Sequence, residues 1–200
     1  MAVVLQHRED YKFTYRDYLR MPDDGNRWEI IDGKLYMMAA PSFRHQEILG
    51  ELFGNFYNFL KGKRCKVFMA PFDVRLPIYN ERGEDVINVV QHDVMVYCDR
   101  KGVDEKGGKV APEIAIEILS PSTSKMDKIA KYRLYEQAKV KEYWIVDGKS
   151  EFVEIHMLDG NKFSPPVHYC DDDMITTAIL EGFELKASDI FPEPFFIEEE

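Results

Sequence analysis

Apolar residues along this chain recur with two different periods, and the longer period marks the longest of three predicted helices. The longest predicted helix begins after Ser42, a good N-cap residue, and ends near Gly62, which favours helix termination. Its apolar positions repeat every three or four residues and are Ile48, Leu49, Leu52, Phe53, Phe56, Phe59 and Leu60. A short helix is predicted between Thr14 and Pro22, and a third over about residues 124–138.

Runs of alternating or continuous apolar residues predict the strands. Two of them form a hairpin around Asp32-Gly33, which is a preferred two-residue turn. The predicted strands cover residues 28–31, 34–37, 66–76, 89–97, 113–119, 142–146 and 152–158. This order predicts a mixed α/β fold, α+β around a curved mixed sheet, in one domain over residues 1–195. Residues 196–200 are expected to form an acidic, frayed tail.

Composition limits the classes to which the chain can belong. An apolar fraction of 45% in 200 residues is enough for a real hydrophobic core. The sequence contains no run of about 20 apolar residues, so no membrane span or membrane partner is expected. The start, Met1–Leu5, is too short for a secretory signal, and a cytoplasmic location is therefore predicted. Cys65, Cys98 and Cys170 are far apart and include no C-x-x-C, which favours buried or half-buried thiols over disulfides.

The net charge of −10 argues against a nucleic-acid partner only until its distribution is considered. Residues 171–200 contain ten acids and one base, so the rest of the chain is nearly neutral. Within that rest, residues 125–141 contain six bases and two acids. A basic face on the body of the domain is therefore possible, and nucleic acid is not excluded as a partner.

Two acids interrupt the most apolar predicted strands. Asp93 lies in the strand over residues 89–97, and Glu117 lies in the strand over residues 113–119. Burying a carboxylate is costly unless a cation or hydrogen bonds compensate for it. Two such groups on neighbouring strands would make an oxygen site for Mg²⁺ or Mn²⁺. The alternative is that each acid points to solvent at a strand end or pairs with an arginine.

The chain resembles the PD-(D/E)xK nuclease superfamily and, more narrowly, the Uma2 family of bacterial endonucleases. The resemblance extends from about Tyr15 to Tyr143 and continues to Asp147. It rests on Trp28–Gly33, His45, Asp93, Glu117–Thr123, Lys131 followed by Tyr135, and Lys141–Asp147. Two positions depart from the usual patterns. His92 replaces the proline that usually precedes the first acid, and Leu119 occupies the usual lysine position, which moves the lysine to Lys131 on the next helix.

The resemblance implies a restriction-endonuclease-like core with additional C-terminal β-strands, and a set of site residues. Asp93, Glu117 and the backbone carbonyl of Ile118 would hold Mg²⁺ or Mn²⁺. Glu29 would complete the acidic cluster directly or through a water, and Lys131 would orient the attacking water or stabilise the transition state. The expected substrate-binding residues are His45 and Lys128.

Each of these residues could instead have a purely structural role, with no part in catalysis or binding. Lys131 could form a surface pair with Asp127, four residues earlier, and Glu29 could be an exposed hairpin residue. His45 could be a half-buried histidine with its hydrogen bonds satisfied, and His92 a strand residue on the opposite face. Ser122 and Thr123 are expected to be turn and N-cap residues, and the sequence has neither a G-x-S-x-G nor a P-loop motif.

The leading hypothesis is a metal-dependent endonuclease that cuts DNA. The alternatives are an inactive relative that binds nucleic acid or regulates, and a metal-dependent hydrolase of a smaller phosphate compound. A homodimer is possible if Phe191, Phe195 and Phe196 form a self-interface, although packing onto their own domain is an equal alternative.

Overall fold

The computed structural model describes residues 11–120, 126–193 and 195. The predicted turn and cap at Ser122 and Thr123, and the predicted tail over residues 196–200, lie outside these ranges. The described helices are α1 (Tyr15–Tyr18), α2 (Phe43–Leu60) and α3 (Tyr132–Ala138), which directly follows a π-helical segment (Met126–Lys131). Short 3₁₀ turns cover Gly83–Asp85, Arg100–Gly102 and Ala187–Ile190.

Among the described residues, the strands form two larger sheets and one separate hairpin. The hairpin sheet contains β1 (Arg27–Ile31), β2 (Lys34–Met38), β4 (Val74–Arg75), β5 (Val89–Val90), β7 (Val103–Asp104) and β8 (Gly107–Gly108), in the order β2-β1-β5-β4-β8-β7. The central sheet contains β3 (Lys66–Met69), β6 (Val94–Tyr97), β9 (Ile114–Ile118), β10 (Glu142–Asp147), β11 (Phe152–Asp159), β12 (Lys162–Phe163) and β13 (Val167–Cys170). The separate hairpin pairs β14 (Met174–Thr176) with β15 (Glu184–Lys186).

The mixed α/β prediction is confirmed by the strand directions in the central sheet. Its order is β12-β11-β10-β9-β6-β3, and β13 pairs with β11. β9 and β10 are parallel and are connected through α3, whereas β6 pairs antiparallel with β9 and with β3. The C-terminal strands β11 to β13 extend this sheet, as expected.

The predicted ends of the first elements are also confirmed. The Thr14 side chain and the Asp17 carboxylate cap α1 reciprocally, as in a capping box. Asp32 and Gly33 both adopt positive φ angles and connect β1 to β2 by a two-residue turn. The Ser42 hydroxyl accepts a hydrogen bond from the His45 N–H at the start of α2.

Two predicted strands are wrong in their extent, because each is divided between the two sheets. The segment 66–76 forms β3 and β4, with Pro71, which has no N–H to donate to a ladder, between them. The segment 89–97 forms β5 and β6. Between these strands the Gln91 N–H donates to the Glu29 carboxylate at 2.8 Å instead of to a neighbouring strand. The chain can therefore leave one sheet and enter the other, and Asp93 lies at that break.

The hydrophobic core lies on both faces of the central sheet. Alternation along β9 places Ile114, Ile116 and Ile118 against α2 and the C-terminal hairpin. Ala115, on the opposite face, belongs to a second cluster with Tyr135 of α3. The buried residues of α2 are Ile48, Leu49, Leu52, Phe56 and Leu60, whereas Phe53 and Phe59 are partly buried.

The prediction of buried or half-buried free thiols is wrong for all three cysteines. Cys65 and Cys98 form a disulfide, and Cys170 is an exposed free thiol. Lys66 of β3 lies opposite Tyr97 of β6, so the two cysteines just beyond these residues face each other. Sequence spacing gave no indication of this pairing, because it arises from strand register over a separation of 33 residues.

A search of the described helices finds none that is both long enough and apolar enough to cross a bilayer. At the C-terminal end, Phe191 packs partly against the core, which fits the alternative of packing onto its own domain. Phe195 is 76% exposed, with its ring 6.1 Å from that of Phe43, and Phe196 lies outside the described residues. The homodimer stays a prediction.

Candidate active site

A cavity of about 40 Å³ lies where β6 begins and β9 ends, and it collects most of the predicted site residues. We call this cavity the acid pocket; its walls are formed by Arg27, His45, Asp93, Glu117, Ile118 and Lys131, together with residues 38–41 and 120. The break between β5 and β6 supplies Asp93, and the end of β9 supplies the next acid. The position of the pocket is therefore set by the change of sheet described above.

Asp93 is held by one of its two carboxylate oxygens. Its Oδ2 atom accepts a hydrogen bond from the Ile118 N–H at 2.8 Å and lies 3.1 Å from Nε2 of His45. Since the N–H and C=O of one strand residue point to the same side, the Ile118 carbonyl also faces toward Asp93. Within the described ranges, Oδ1 of Asp93 accepts no hydrogen bond, and the side chain is 17% exposed.

Glu117 is buried and is also held by one oxygen. Its Oε1 atom lies 3.1 Å from Nζ of Lys131, 2.6 Å from the Tyr135 hydroxyl and 3.3 Å from Nδ1 of His92. In the described part of the chain, Oε2 accepts no hydrogen bond. Burial alone would raise the pKa of Glu117, but the Lys131 charge and the His92 contact outweigh it and lower the pKa to about 2. Glu117 is therefore a carboxylate at neutral pH.

Lys131 is a buried cation between two carboxylates. Its Nζ atom lies 3.0 Å from Oε1 of Glu29 and 3.1 Å from Oε1 of Glu117, and its side chain is 1% exposed. The surface-pair interpretation of Lys131 is therefore wrong. Lys131 ends the π-helical segment and Tyr135 follows four residues later, so both side chains point toward the same acid.

Glu29 is fully buried, so its interpretation as an exposed hairpin residue is wrong. Burial and the neighbouring charge of Glu117 raise the pKa of Glu29, although Lys131 opposes this effect. Its Oε1 atom contacts Lys131 and the Gln91 N–H, and Oε2 has no hydrogen-bond partner among the described residues. Glu29 does not border the acid pocket. The structure therefore places Glu29 at Lys131, on the side away from the cavity.

His45 borders the pocket from the first turn of α2. Burial alone would lower the pKa of His45, but the hydrogen bond to Asp93 and the charges of Asp93 and Glu117 outweigh it and raise the pKa. A cation at this position would also attract a phosphate. Lys128, the other expected substrate-binding residue, is exposed and does not border the pocket, and its Nζ atom lies 6.0 Å from the centre of the Phe152 ring.

Sequence reasoning missed the roles of three residues here. His92 was interpreted as a strand residue, but it lies in the break between β5 and β6, is fully buried, contacts Glu117, and packs its ring 4.7 Å from that of Tyr135. Tyr135 appeared only as part of a motif. Arg27 was not singled out, although two-residue periodicity along β1 puts it on the same face as Glu29. That periodicity was the available signal.

The donor atoms of the acid pocket match the coordination preference of Mg²⁺. Within the described ranges, Asp93 Oδ1 and Glu117 Oε2 accept no hydrogen bond, and the Ile118 carbonyl faces the same side as Asp93. No three His, Cys, Asp or Glu side chains of the described ranges converge as a preformed metal site. Mg²⁺ usually takes one or two protein carboxylates and fills its other positions with water and substrate phosphate. Two carboxylates and a carbonyl therefore fit this ion.

Comparisons with known proteins agree with the fold. A crystal structure of "a putative nuclease belonging to DUF820" from Anabaena variabilis ATCC 29413 superposes with a TM-score of 0.72 at 19% identity and covers 90% of this chain and 97% of its own. At that identity the match establishes the fold alone. An uncharacterised protein of Synechocystis sp. is 30% identical over 152 residues, which is 75% of each chain.

The family assignment rests on a match over most of the chain. The family model of Uma2, described as "Putative restriction endonuclease", matches residues 15–188. This range includes the acid pocket, both larger sheets and the C-terminal hairpin. The chain belongs to the Uma2 family, and the nuclease-like fold expected of that family is the one that surrounds its acid pocket.

Proposed function

We propose that this protein is an endonuclease that hydrolyses phosphodiester bonds of DNA with a bound Mg²⁺ or Mn²⁺ ion. One observation supports this proposal above the others. Two carboxylates border one small cavity, each with an oxygen that accepts no hydrogen bond within the described ranges, and a buried lysine contacts one of them. The proposed metal-binding groups are Asp93, Glu117 and the backbone carbonyl of Ile118.

The residues of the chain have separate tasks in this proposal. A divalent ion bound there would lower the pKa of coordinated water and polarise a phosphoryl oxygen. Lys131 borders the same pocket, so its ammonium can stabilise negative charge that develops on the phosphate. The Ile118 N–H fixes the Asp93 carboxylate through Oδ2, and this contact leaves Oδ1 available. A cytoplasmic location is part of the same proposal.

The test is nicking of supercoiled plasmid in Mg²⁺, Mn²⁺ and EDTA. Wild-type protein is expected to nick only with metal, and Asp93→Asn and Glu117→Gln are expected to lose this activity. The matched control is Glu181→Gln, because Glu181 is an exposed acid that does not border the acid pocket. Calorimetric titration with Mn²⁺ adds a readout that does not depend on turnover. Nicking that persists in Asp93→Asn or Glu117→Gln would exclude that residue from the proposed site.

A second candidate function is nucleic-acid binding without turnover. It is favoured by the double pairing of Lys131, whose ammonium is already shared between Glu29 and Glu117. The absence of a third carboxylate at the pocket, among the described residues, points the same way. DNA binding in EDTA without metal-dependent nicking, and without a Mn²⁺ binding signal, would support this candidate over the nuclease.

A further inference from the structure

We infer that the groove beside the acid pocket binds an unpaired nucleotide, so that the preferred substrate is single-stranded or locally unpaired nucleic acid. This inference rests on the proposed function and specifies its substrate class. The groove, here called the outer groove, has a volume of about 410 Å³ and is bordered by Arg27, His45, Leu49, Gly50, Phe53 and Met69. Its volume lies within the range of about 300–1,000 Å³ that is usual for small-ligand sites.

The outer groove adjoins the acid pocket. Both cavities are bordered by Arg27, Pro41, His45 and Asp93. A strand whose phosphate reaches the Asp93 carboxylate would therefore place the neighbouring nucleotide in the outer groove. A nucleotide in this groove would belong to the same strand as the reacting phosphate, whereas a bound protein would not.

Arg27 supplies a cation at the boundary of the two cavities. It is half-buried on β1, and among the described residues its side chain forms neither a salt bridge nor a hydrogen bond. Other arginines near the protein surface have carboxylate partners, such as Arg44 with Glu151 and Arg75 with Asp104. An arginine without a protein partner that faces a cavity is suited to the bidentate binding of a phosphate.

Part of the wall of the outer groove is apolar and includes an aromatic ring. Phe53 is half-buried, and stacking on Tyr57, at 5.8 Å between ring centres and 23° between planes, restrains its ring. Met69, at the end of β3, also borders the groove and is 44% exposed. Aromatic side chains beside a cationic group bind single strands through base stacking, which needs no particular base. A base inside a duplex is already stacked on both faces and could not enter.

Gly50 keeps the outer groove open. It lies within α2, where glycine costs about 0.5–1 kcal/mol relative to alanine. A Cβ atom at Gly50 would meet no heavy atom within 4 Å, so neither packing nor the backbone of the neighbouring elements requires glycine here. A side chain at this position would extend into the space of the groove. Gly54, four residues later, is equally free of neighbouring atoms but does not border the groove.

This pair of glycines gives a matched experiment. Fluorescence anisotropy would measure binding of a labelled 12-nucleotide single strand and of the corresponding duplex, in EDTA and again in Ca²⁺. Wild-type protein is expected to bind the single strand more tightly than the duplex. Gly50→Leu and Phe53→Ala are expected to weaken single-strand binding about tenfold, while Gly54→Leu binds as wild type does. A plot of the logarithm of the binding constant against the logarithm of salt concentration should have a slope about 0.7 smaller in magnitude for Arg27→Gln. This difference corresponds to the loss of one phosphate contact.

The outcomes separate this inference from the proposed function. The inference is overturned if the duplex binds at least as tightly as the single strand, or if Gly50→Leu binds as Gly54→Leu does. It is also overturned if neither nucleic acid binds, a result that would leave the groove to another kind of ligand. Single-strand binding that depends on Gly50 and Phe53, without any metal-dependent cleavage, would support the groove as a single-strand site and contradict the proposed nuclease activity. Circular dichroism would verify that each variant is folded.

Discussion

The Nζ atom of Lys131 lies 3.0 Å from Oε1 of Glu29, and both side chains are almost completely excluded from solvent. The lysine comes from the π-helical segment before α3 and the acid comes from β1, so the contact joins the hairpin sheet to the helical connection between β9 and β10. The contact also explains how Lys131, which lies on the helical segment after β9 and not on β9 itself, is held within reach of Glu117. The ammonium is held in place by the second carboxylate behind it.

Replacing Glu29 tests whether it positions Lys131 or binds metal. Removal of one partner from a buried ion pair is strongly destabilising, so Glu29→Ala is expected to lower the free energy of unfolding by on the order of 3 kcal/mol. Glu29→Gln retains an acceptor for the Gln91 N–H and should cost less. Both variants should lose cleavage at least tenfold while the Mn²⁺ affinity measured by calorimetry is unchanged. Glu142, a buried acid away from the pocket, provides the control Glu142→Gln. A large fall in Mn²⁺ affinity would instead make Glu29 part of the metal site.

Tyr135→Phe is expected to destabilise the fold, because it removes a hydrogen bond to the Glu117 carboxylate. The Tyr135 hydroxyl donates to Oε1 of Glu117 at 2.6 Å, and burial together with the Glu117 charge raises the pKa of Tyr135 well above 10. Loss of a buried hydrogen bond to a charged group costs about 1.5–3 kcal/mol. Chemical denaturation would measure this cost. Tyr15→Phe is the control, because no hydrogen bond of the buried Tyr15 hydroxyl is found in the described part of the chain, and an equal effect in both variants would contradict the prediction.

Metal affinity is expected to rise with pH through the titration of His45. The raised pKa of His45 means that its imidazolium persists above pH 6.5 and competes with a divalent cation for Asp93. The same pair stabilises the fold below that pH, and this contribution is lost as the pH rises through the folded-state pKa. Calorimetric Mn²⁺ titrations at pH 6, 7 and 8 should therefore give a steeper pH dependence for wild type than for His45→Asn. His168→Asn, a change at an exposed histidine, should behave as wild type, and identical profiles for all three proteins would rule out the competition.

Gly107→Ala is expected to destabilise the hairpin sheet and, through it, the site. Gly107 has a φ of 118°, and a Cβ atom there would lie 2.1 Å from the Asp73 carbonyl oxygen. The side chain of Asp73 accepts hydrogen bonds from Tyr18 and from Gln91, whose N–H in turn binds Glu29. Backbone strain alone costs about 1–3 kcal/mol, and the steric clash adds to it. Thermal unfolding should show a much larger loss than in Gly160→Ala, where φ is 58° but no atom lies within 4 Å.

Local patterns in the sequence predicted most of the elements. Helical spacing, the Thr14 and Ser42 caps and the Asp32-Gly33 turn depend on residues a few positions apart, and the structure confirms them. The two-residue alternation along β9, which is also a local pattern, separates the isoleucines from Glu117. Local patterns failed at residues 66–76 and 89–97, where an apolar run continues although the chain changes sheets.

The sequence by itself determined the helices, the hairpin and the acids worth testing, because these follow from spacing and from the high cost of placing carboxylates in apolar strands. Only the tertiary structure decided that Cys65 faces Cys98, that Lys131 is buried between two acids, and that Arg27 borders both cavities. Each of these contacts joins segments far apart in the chain. They arise from strand register and from the packing of one sheet against another, which no short-range periodicity encodes.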